Sequence, residues 1–248
     1  MQLFLAPVYK LLSKLSGISF DPSSILQQLA FAPEEDIVQT ALAKKESLFV
    51  RVTVVTSLGE SLFLRDFAKA HKIITRYPNF FQALDNRQQL RITEFEITFC
   101  SGLLSFYWAR ETREPQWIQK GLNALSAFED WAKLNPWDCL HRYHMLKAEL
   151  YHTQGDNFGA AESFDAAIAN AKKNNQSQLE ALVCEWAACF YESIGNKDKR
   201  KQMIKRSQDA YIKWGAAKKA DELKKLLEVE PVDPISMQVQ NQPGMAFF

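Results

Sequence analysis

One cysteine and two histidines near the middle of the chain come closest to the residue types and spacing of a metal site. Cys139, His141 and His144 lie within six residues of one another. On a helix the two histidines would be one turn apart, and thiolate and imidazole are ligands that zinc prefers. A fourth ligand would have to come from elsewhere in the chain. In the alternative interpretation, Cys139 and His144 pack inside while His141 faces solvent, and we expect no metal here.

The sequence contains none of the common catalytic motifs. It has no G-x-S-x-G, no H-E-x-x-H, and no D-F-G or H-R-D of protein kinases. Gly155 and Gly159 are followed by Ala160, so they do not make a phosphate-binding loop. Residues two apart point to different sides of a helix, which excludes a protease dyad of Cys139 with His141. We therefore expect a protein that is not an enzyme and uses no cofactor.

The positive charge of the chain is concentrated near its C-terminal end. The chain has 30 Lys and Arg against 29 Asp and Glu, but residues 197–225 hold eleven basic residues against four acidic ones. Such a surface could contact nucleic acid or anionic lipid, whereas the simpler alternative is a solvated helix face, since no aromatic residues alternate with the basic ones. The candidate basic surface consists of Lys197, Lys199, Arg200, Lys201, Lys205 and Arg206.

The pattern of apolar residues predicts an all-α protein. Only 9 of 248 residues are glycine, and apolar residues recur at helical spacing from residue 23 to residue 228. The valine-rich stretch 49–64 favours a strand locally, but no second strand-like run could pair with it, so we expect a buried helix. The other predicted helices cover 65–77, 87–110, 115–135, 136–154, 157–174, 176–194, 197–214 and 216–227, with Gly155, Gly195 and Gly215 as C-terminal caps.

Three regions are expected along the chain. Residues 1–22 would form an amphipathic helix or a leader, residues 23–228 the helical domain, and residues 229–248 a flexible tail that contains proline and glutamine. The chain has no run of about 18 apolar residues, which excludes a membrane-spanning helix. Four cysteines without C-x-x-C spacing indicate reduced thiols and a cytoplasmic location, although the N-terminal segment leaves organellar targeting open. Five tryptophans are expected in the core: Trp117, Trp131, Trp137, Trp186 and Trp214.

An internal repeat points to stacked helical hairpins. The run AELY at 148–151, followed by GD at 155–156, recurs 40 residues later as ACFY at 188–191, followed by GN at 195–196. A hairpin of two helices cannot bury its apolar face alone, so neighbouring units must stack into an α-solenoid. The unit 141–172 resembles a tetratricopeptide (TPR) repeat at Ala148, Tyr151, Gly155, Ala160, Phe164 and Ala167, whereas the next unit has Arg200, Ile204 and Ser207 at the last three of these positions.

A narrower resemblance covers about residues 87–226. The runs WAKLNP at 131–136, EAL at 180–182 and YIKWGA at 211–216 are similar to the helical-repeat region of large signalling proteins. Those proteins join a Ser/Thr-kinase-like domain and an AAA-type ATPase to a GAF domain and a histidine kinase. The chain lacks the motifs of these catalytic domains. The resemblance therefore implies a scaffold region and no catalytic activity.

The resemblance implies that a protein or peptide partner binds in a concave groove. That groove would contain Arg142, Met145, Glu149, His152, Leu182, Glu185, Cys189 and Glu192. Its three glutamates would attract a basic or mixed peptide. Two alternatives stay open: a regulatory subunit that acts in trans on a signalling ATPase or histidine kinase, and a structural subunit of a larger assembly.

Overall fold

The computed structural model of the protein describes residues 14–15, 47–76 and 91–228. All the regular structure in these ranges is helical, which confirms the predicted all-α class. The nine helices described are α1 Ser47–Phe63, α2 Phe67–Arg76, α3 Arg91–Thr112, α4 Pro115–Leu134, α5 Pro136–Gln154, α6 Asn157–Lys173, α7 Ser177–Ser193, α8 Lys197–Trp214 and α9 Ala217–Glu228. None of them combines the length and the apolar character that crossing a membrane would require.

Two of the predicted regions lie wholly or largely outside the described residues. They are the tail at 229–248 and the segment 1–22, of which only Lys14 and Leu15 are described. Leu15 is 2% exposed within the hydrophobic core, and Lys14 pairs with the carboxylate of Glu60 on α1. These two residues therefore pack against the helical domain.

The valine-rich stretch forms a helix, as predicted. In α1 the side chains of Val54, Leu58 and Leu62 are each at most 2% exposed and recur at intervals of four residues. Val54 favours strands by intrinsic propensity, but burial of a continuous apolar face outweighs a difference of roughly 1 kcal/mol or less in that propensity. The helix is thus stabilised by tertiary packing.

Proline and glycine set the boundaries of the later helices. Pro136 occupies the first turn of α5, and Gly155 ends that helix with φ of 78° in the left-handed region. Gly195 and Gly215 adopt φ of 73° and 92° at the ends of α7 and α8. These positions strongly favour glycine because a Cβ atom is strained at positive φ. The three predicted caps are confirmed.

Three buried alanines and one buried aromatic ring pack α5 against α6. Ala148 on α5 and Ala160, Phe164 and Ala167 on α6 are all 0% exposed. In the next pair of helices, Ser207 of α8 is also 0% exposed and its hydroxyl donates to the carbonyl of Ala181 at 2.7 Å. Because serine is small, α7 and α8 can approach closely here, and the hydroxyl oxygen of Ser207 is not left without a hydrogen bond. Consecutive helices from α3 to α9 pack against each other, and α1 packs mainly on α2 and α3.

The prediction of five core tryptophans is wrong for Trp137. Trp117 and Trp186 are each 4% exposed, but Trp137 is 56% exposed. Trp137 lies in the first turn of α5, where its backbone carbonyl accepts a hydrogen bond from Asn174 Nδ2 at 2.7 Å and its ring extends beyond the packed layer. Helical spacing cannot reveal that Trp137 is exposed, because the spacing of apolar residues does not show whether the first turn of a helix is covered by neighbouring helices.

Candidate functional site

The three residues considered as metal ligands, Cys139, His141 and His144, all lie in the first half of α5. The described residues contain no group of three or more side chains that could hold a metal ion. His141 is 0% exposed, and its Nε2 lies 3.2 Å from Nη1 of Arg142. Burial, together with the adjacent positive charge of Arg142, lowers the pKa of His141 to about 3. The expected packing holds for Cys139, which is 3% exposed, but it is wrong for His141, which is fully buried, whereas His144 is half-buried.

The predicted partner-binding groove is not an open surface at most of its positions. Five of the eight residues are less than one-tenth exposed: Arg142, Met145, Glu149, Leu182 and Glu185. Cys189 and His152 are half-buried, and Glu192 is exposed. Other helices of the same chain cover part of this face: the guanidinium carbon of Arg142, for example, lies 4.7 Å from the ring centroid of Phe95 on α3.

The predicted acidic character of the groove is cancelled by internal ion pairs. A carboxylate oxygen of Glu149 accepts a hydrogen bond from Arg110 Nη2 at 2.6 Å. Glu185 accepts one from Lys219 Nζ at 2.9 Å and another from the hydroxyl of Tyr211 at 2.9 Å. A carboxylate that is paired and buried exerts little field on an approaching ligand. The expected negative surface is therefore not present at these two residues.

The turn between α1 and α2 covers part of this face. The ring of Phe63 lies 5.3 Å from that of Trp214 between centroids. The ring of Phe67 lies 4.3 Å from Tyr107 and 5.8 Å from Trp186. The two phenylalanines thus join the first two helices to α3, α7 and α8. Trp214 anchors α8 to this turn, in addition to preceding the cap at Gly215.

Arg65 lies between those two phenylalanines and was not among the residues singled out from the sequence. Its backbone has φ of 57°, in the left-handed region that a non-glycine residue seldom adopts. Its guanidinium carbon lies 5.0 Å from the ring centroid of Phe67 and 6.0 Å from that of Trp186. A cation over two aromatic faces is favourable. No motif or charge run signals this residue, and Trp186, one of its two ring neighbours, is more than 100 residues away in the sequence.

Only some residues of the predicted basic surface are exposed to solvent. Arg200 is 8% exposed and its Nε lies 3.1 Å from a carboxylate oxygen of Glu192. Arg206 Nη2 lies 3.2 Å from Glu180. Both arginines therefore serve packing between α7 and α8. The exposed members are lysines: Lys197, Lys199, Lys201 and Lys205, of which Lys205 pairs with Asp209 at 3.2 Å.

A serine and a histidine meet at the end of the predicted groove, a contact that sequence reasoning missed. Ser193 Oγ lies 3.0 Å from His152 Nε2. The serine hydroxyl donates to the carbonyl of Phe190 at 2.8 Å, so the histidine must be the donor in the contact between the two side chains. His152 Nδ1 has no hydrogen-bond partner in the part of the chain that is described. This geometry does not activate Ser193 as a nucleophile, which would require His152 to accept its proton.

Comparisons with known proteins do not add to this picture: the protein-family models, the curated proteins and the solved structures that were searched contain no match to the chain. The similarity to TPR repeats and to the helical region of signalling proteins therefore stays a prediction from the sequence.

Proposed function

We propose that the protein is a non-enzymatic helical-repeat scaffold that binds a protein partner, and that α3–α9 form a solenoid of TPR-like hairpins. Two features support the repeat. The α5–α6 and α7–α8 units have matching junctions, with glycines at 155 and 195 of φ 78° and 73°. The first residue after each glycine then caps the following helix, Asp156 accepting from the amide of Gly159 and Asn196 from that of Lys199.

An exposed apolar pair at the α4–α5 junction carries the proposal of partner binding. Leu134 is 85% exposed and Trp137 is 56% exposed, on either side of the Asn135–Pro136 junction. Single exposed apolar residues are common, but two within four residues, one of them tryptophan, are typical of an interaction surface. Proline at the start of α5 holds the two side chains on a short, ordered turn. Burial against a partner would remove both from water.

We also propose a reducing, cytoplasm-like compartment for this scaffold. Cys100, Cys139 and Cys184 are each buried in the core. Burial raises the pKa of Cys184 to about 12, which keeps it as an unreactive thiol. Such cysteines act as small apolar residues in the packed helices.

Affinity capture with matched variants tests this function. The full chain carrying Leu134→Ser and Trp137→Ala is compared with a control carrying Ile212→Ser, which changes an apolar residue that is 57% exposed on α8. We expect the wild type and the control to retain the same protein in stoichiometric amount, and the double variant to lose it. Equal retention by all three would contradict the proposal. The identity of the captured protein separates the alternatives, since an ATPase or kinase would indicate the regulatory subunit.

A further inference from the structure

One side of α6 is exposed to solvent along the whole helix. α6 packs mainly against α5 and α7, which cover its other sides. The exposed residues recur every three or four positions, and such spacings stay on one side of a helix. They form a continuous strip about 25 Å long for the 17 residues of α6. We call it the α6 stripe, and it consists of Phe158, Glu162, Asp165, Ala169, Lys172 and Lys173.

The charges of the α6 stripe are separated by sign and are not paired within the chain. Its carboxylates lie towards the N-terminal end, whereas its two lysines are at the C-terminal end. Glu162 and Lys172 are ten residues apart, or about 15 Å along the axis, which is too far for an ion pair within the helix. In the described part of the chain, none of the four charged side chains forms an ion pair or a hydrogen bond. On α8, by contrast, the exposed Lys205 pairs with Asp209 one turn away.

Neither the helix dipole nor packing within the chain accounts for this stripe. The dipole acts mainly on the first and last turns, so it favours the two lysines, but α6 has no acidic residue in its first turn. Glu162 and Asp165 therefore gain little from it. Phe158 is 74% exposed at the start of the stripe, where packing against α5 and α7 does not bury it. A surface that covers this ring and pairs the four charges has to come from another molecule.

The order of residues along the stripe is complementary to itself in the antiparallel direction. In a two-fold symmetric contact, residue i of one copy meets residue j of the other, and j meets i. If the symmetry axis passes midway between Glu162 and Lys172, the glutamate of each copy lies opposite the lysine of the other. The small side chain of Ala169 permits a close approach near the middle. Phe158 then lies over the C-terminal end of the other α6, where the methylene groups of the lysines can cover its ring.

From this complementarity we propose that the α6 stripe is the contact surface of a symmetric homodimer, in which α6 of one copy lies antiparallel to α6 of a second copy. The inference goes beyond the proposed function and does not depend on it. A strip about 25 Å long and about 10 Å wide is smaller than the roughly 800 Å² per partner of a standard interface. We therefore expect a weak dimer, with a Kd above about 1 µM.

Sedimentation velocity of the purified full chain tests the dimer. We expect the wild type to pass from monomer to dimer as its concentration is raised towards about 1 mM. Glu162→Lys and Lys172→Glu should each raise the Kd at least about tenfold, because symmetry replaces two attractive contacts by two repulsive ones. Lys201→Glu is the matched control, since it reverses an exposed lysine of α8, and it should dimerise like the wild type.

A mixture of the two α6 variants distinguishes the antiparallel contact from a general effect of charge. In a mixed pair, the lysine introduced by Glu162→Lys faces the glutamate introduced by Lys172→Glu. The unchanged Lys172 of the first variant faces the unchanged Glu162 of the second. Both contacts are then attractive, so the equimolar mixture should dimerise about as tightly as the wild type, although each variant alone does not.

Three results would overturn the proposal. They are a wild type that stays monomeric up to about 1 mM, a Kd that neither reversal changes, and a mixture that associates no more tightly than its components. Circular dichroism checks that the variants fold. If Glu162→Lys does not fold, Glu162→Gln replaces it, and an unchanged Kd would then count against the proposal. Capture of a partner through Leu134 and Trp137 uses other residues, so it would stand even if the chain proved monomeric.

Discussion

The ammonium nitrogen of Lys219 lies 2.9 Å from a carboxylate oxygen of Glu185, and the two side chains are 6% and 5% exposed. The same carboxylate accepts a hydrogen bond from the hydroxyl of Tyr211 at 2.9 Å. These contacts join α9 to α7 across α8. A glutamate that helical spacing assigns to a ligand-binding face is therefore part of the interior and holds the last described helix in place.

Removing the positive charge from this buried pair should strongly destabilise the protein. Lys219→Met would leave the charge of Glu185 buried with one hydrogen-bond donor. We expect the free energy of unfolding to fall by about 3–5 kcal/mol, as when one partner of a buried pair is removed. The control is Lys205→Met, whose pair with Asp209 has side chains 62% and 60% exposed and should contribute less than about 1 kcal/mol. Urea unfolding measures the free energy of unfolding of both variants. A similar decrease in Lys219→Met and Lys205→Met would show that Lys219 is solvated.

Two glycines inside helices should respond in opposite directions to the same substitution. A Cβ at Gly102 would lie 2.6 Å from Cβ of Ala124 and 2.9 Å from Leu146, so Gly102→Ala should destabilise by about 1–3 kcal/mol. A Cβ at Gly59 meets nothing within 4 Å. Gly59→Ala should stabilise α1 by about 0.5–1 kcal/mol, because alanine is the better helix former. Thermal unfolding of the two variants is compared with that of the wild type. A Gly102→Ala variant as stable as the wild type would disprove the close packing of α3 on α4 and α5.

Two aromatic residues of the first repeat unit should differ in their contribution to stability. Phe164 is 0% exposed, so Phe164→Ala should lower the free energy of unfolding by about 3–5 kcal/mol. The ring of Tyr151 is half-buried and lies against Gly159, where an added Cβ would be 2.9 Å from it. Tyr151→Ala should cost less than Phe164→Ala, because part of the Tyr151 side chain is already exposed to solvent in the folded protein. Denaturant unfolding of the two variants checks the order, and a larger loss at Tyr151 would contradict the arrangement of α5 and α6.

The buried histidine on α5 should make stability depend on pH. Burial lowers the pKa of His141 from 6.5 to about 3, so between these values the unfolded chain binds a proton that the native protein does not. Stability should therefore fall as the pH falls from 6.5 towards 3, by up to about 1.4 kcal/mol per pH unit from this residue. In His141→Leu this contribution should vanish. The free energy of unfolding of both proteins is measured at pH 6.5 and at pH 4.5. If the difference between the two proteins is the same at both pH values, the prediction is wrong.

The helix boundaries could be predicted well because they depend on local chemistry. The helix Pro136–Gln154 agrees with the prediction at both ends, since proline favours the first turn and Gly155 supplies the left-handed cap. Burial of Ala160, Phe164 and Ala167 was likewise predictable, because a repeat places the same residue types at the same packing positions. These features require only residues that are close together in the sequence.

The site could not be predicted, because helical spacing assigns a residue to a face but does not show what covers that face. Glu149 and Glu185 share a side with neighbours on their own helices, as expected, but their partners Arg110 and Lys219 are 39 and 34 residues away. The covering of the face by Phe67 depends on contacts between α2 and α7, which are more than 100 residues apart. Only the tertiary structure reveals that those carboxylates are already paired.

Hydrogen–deuterium exchange of the free protein and of its complex with the captured partner tests whether Leu134 and Trp137 lie in the interface. We predict slower exchange on binding at residues 130–140, which include the exposed Leu134 and Trp137. Residues 197–206 at the basic start of α8 should exchange at the same rate in both samples. Protection confined to residues 197–206 would show that the partner binds the lysines of α8 and not Leu134 and Trp137.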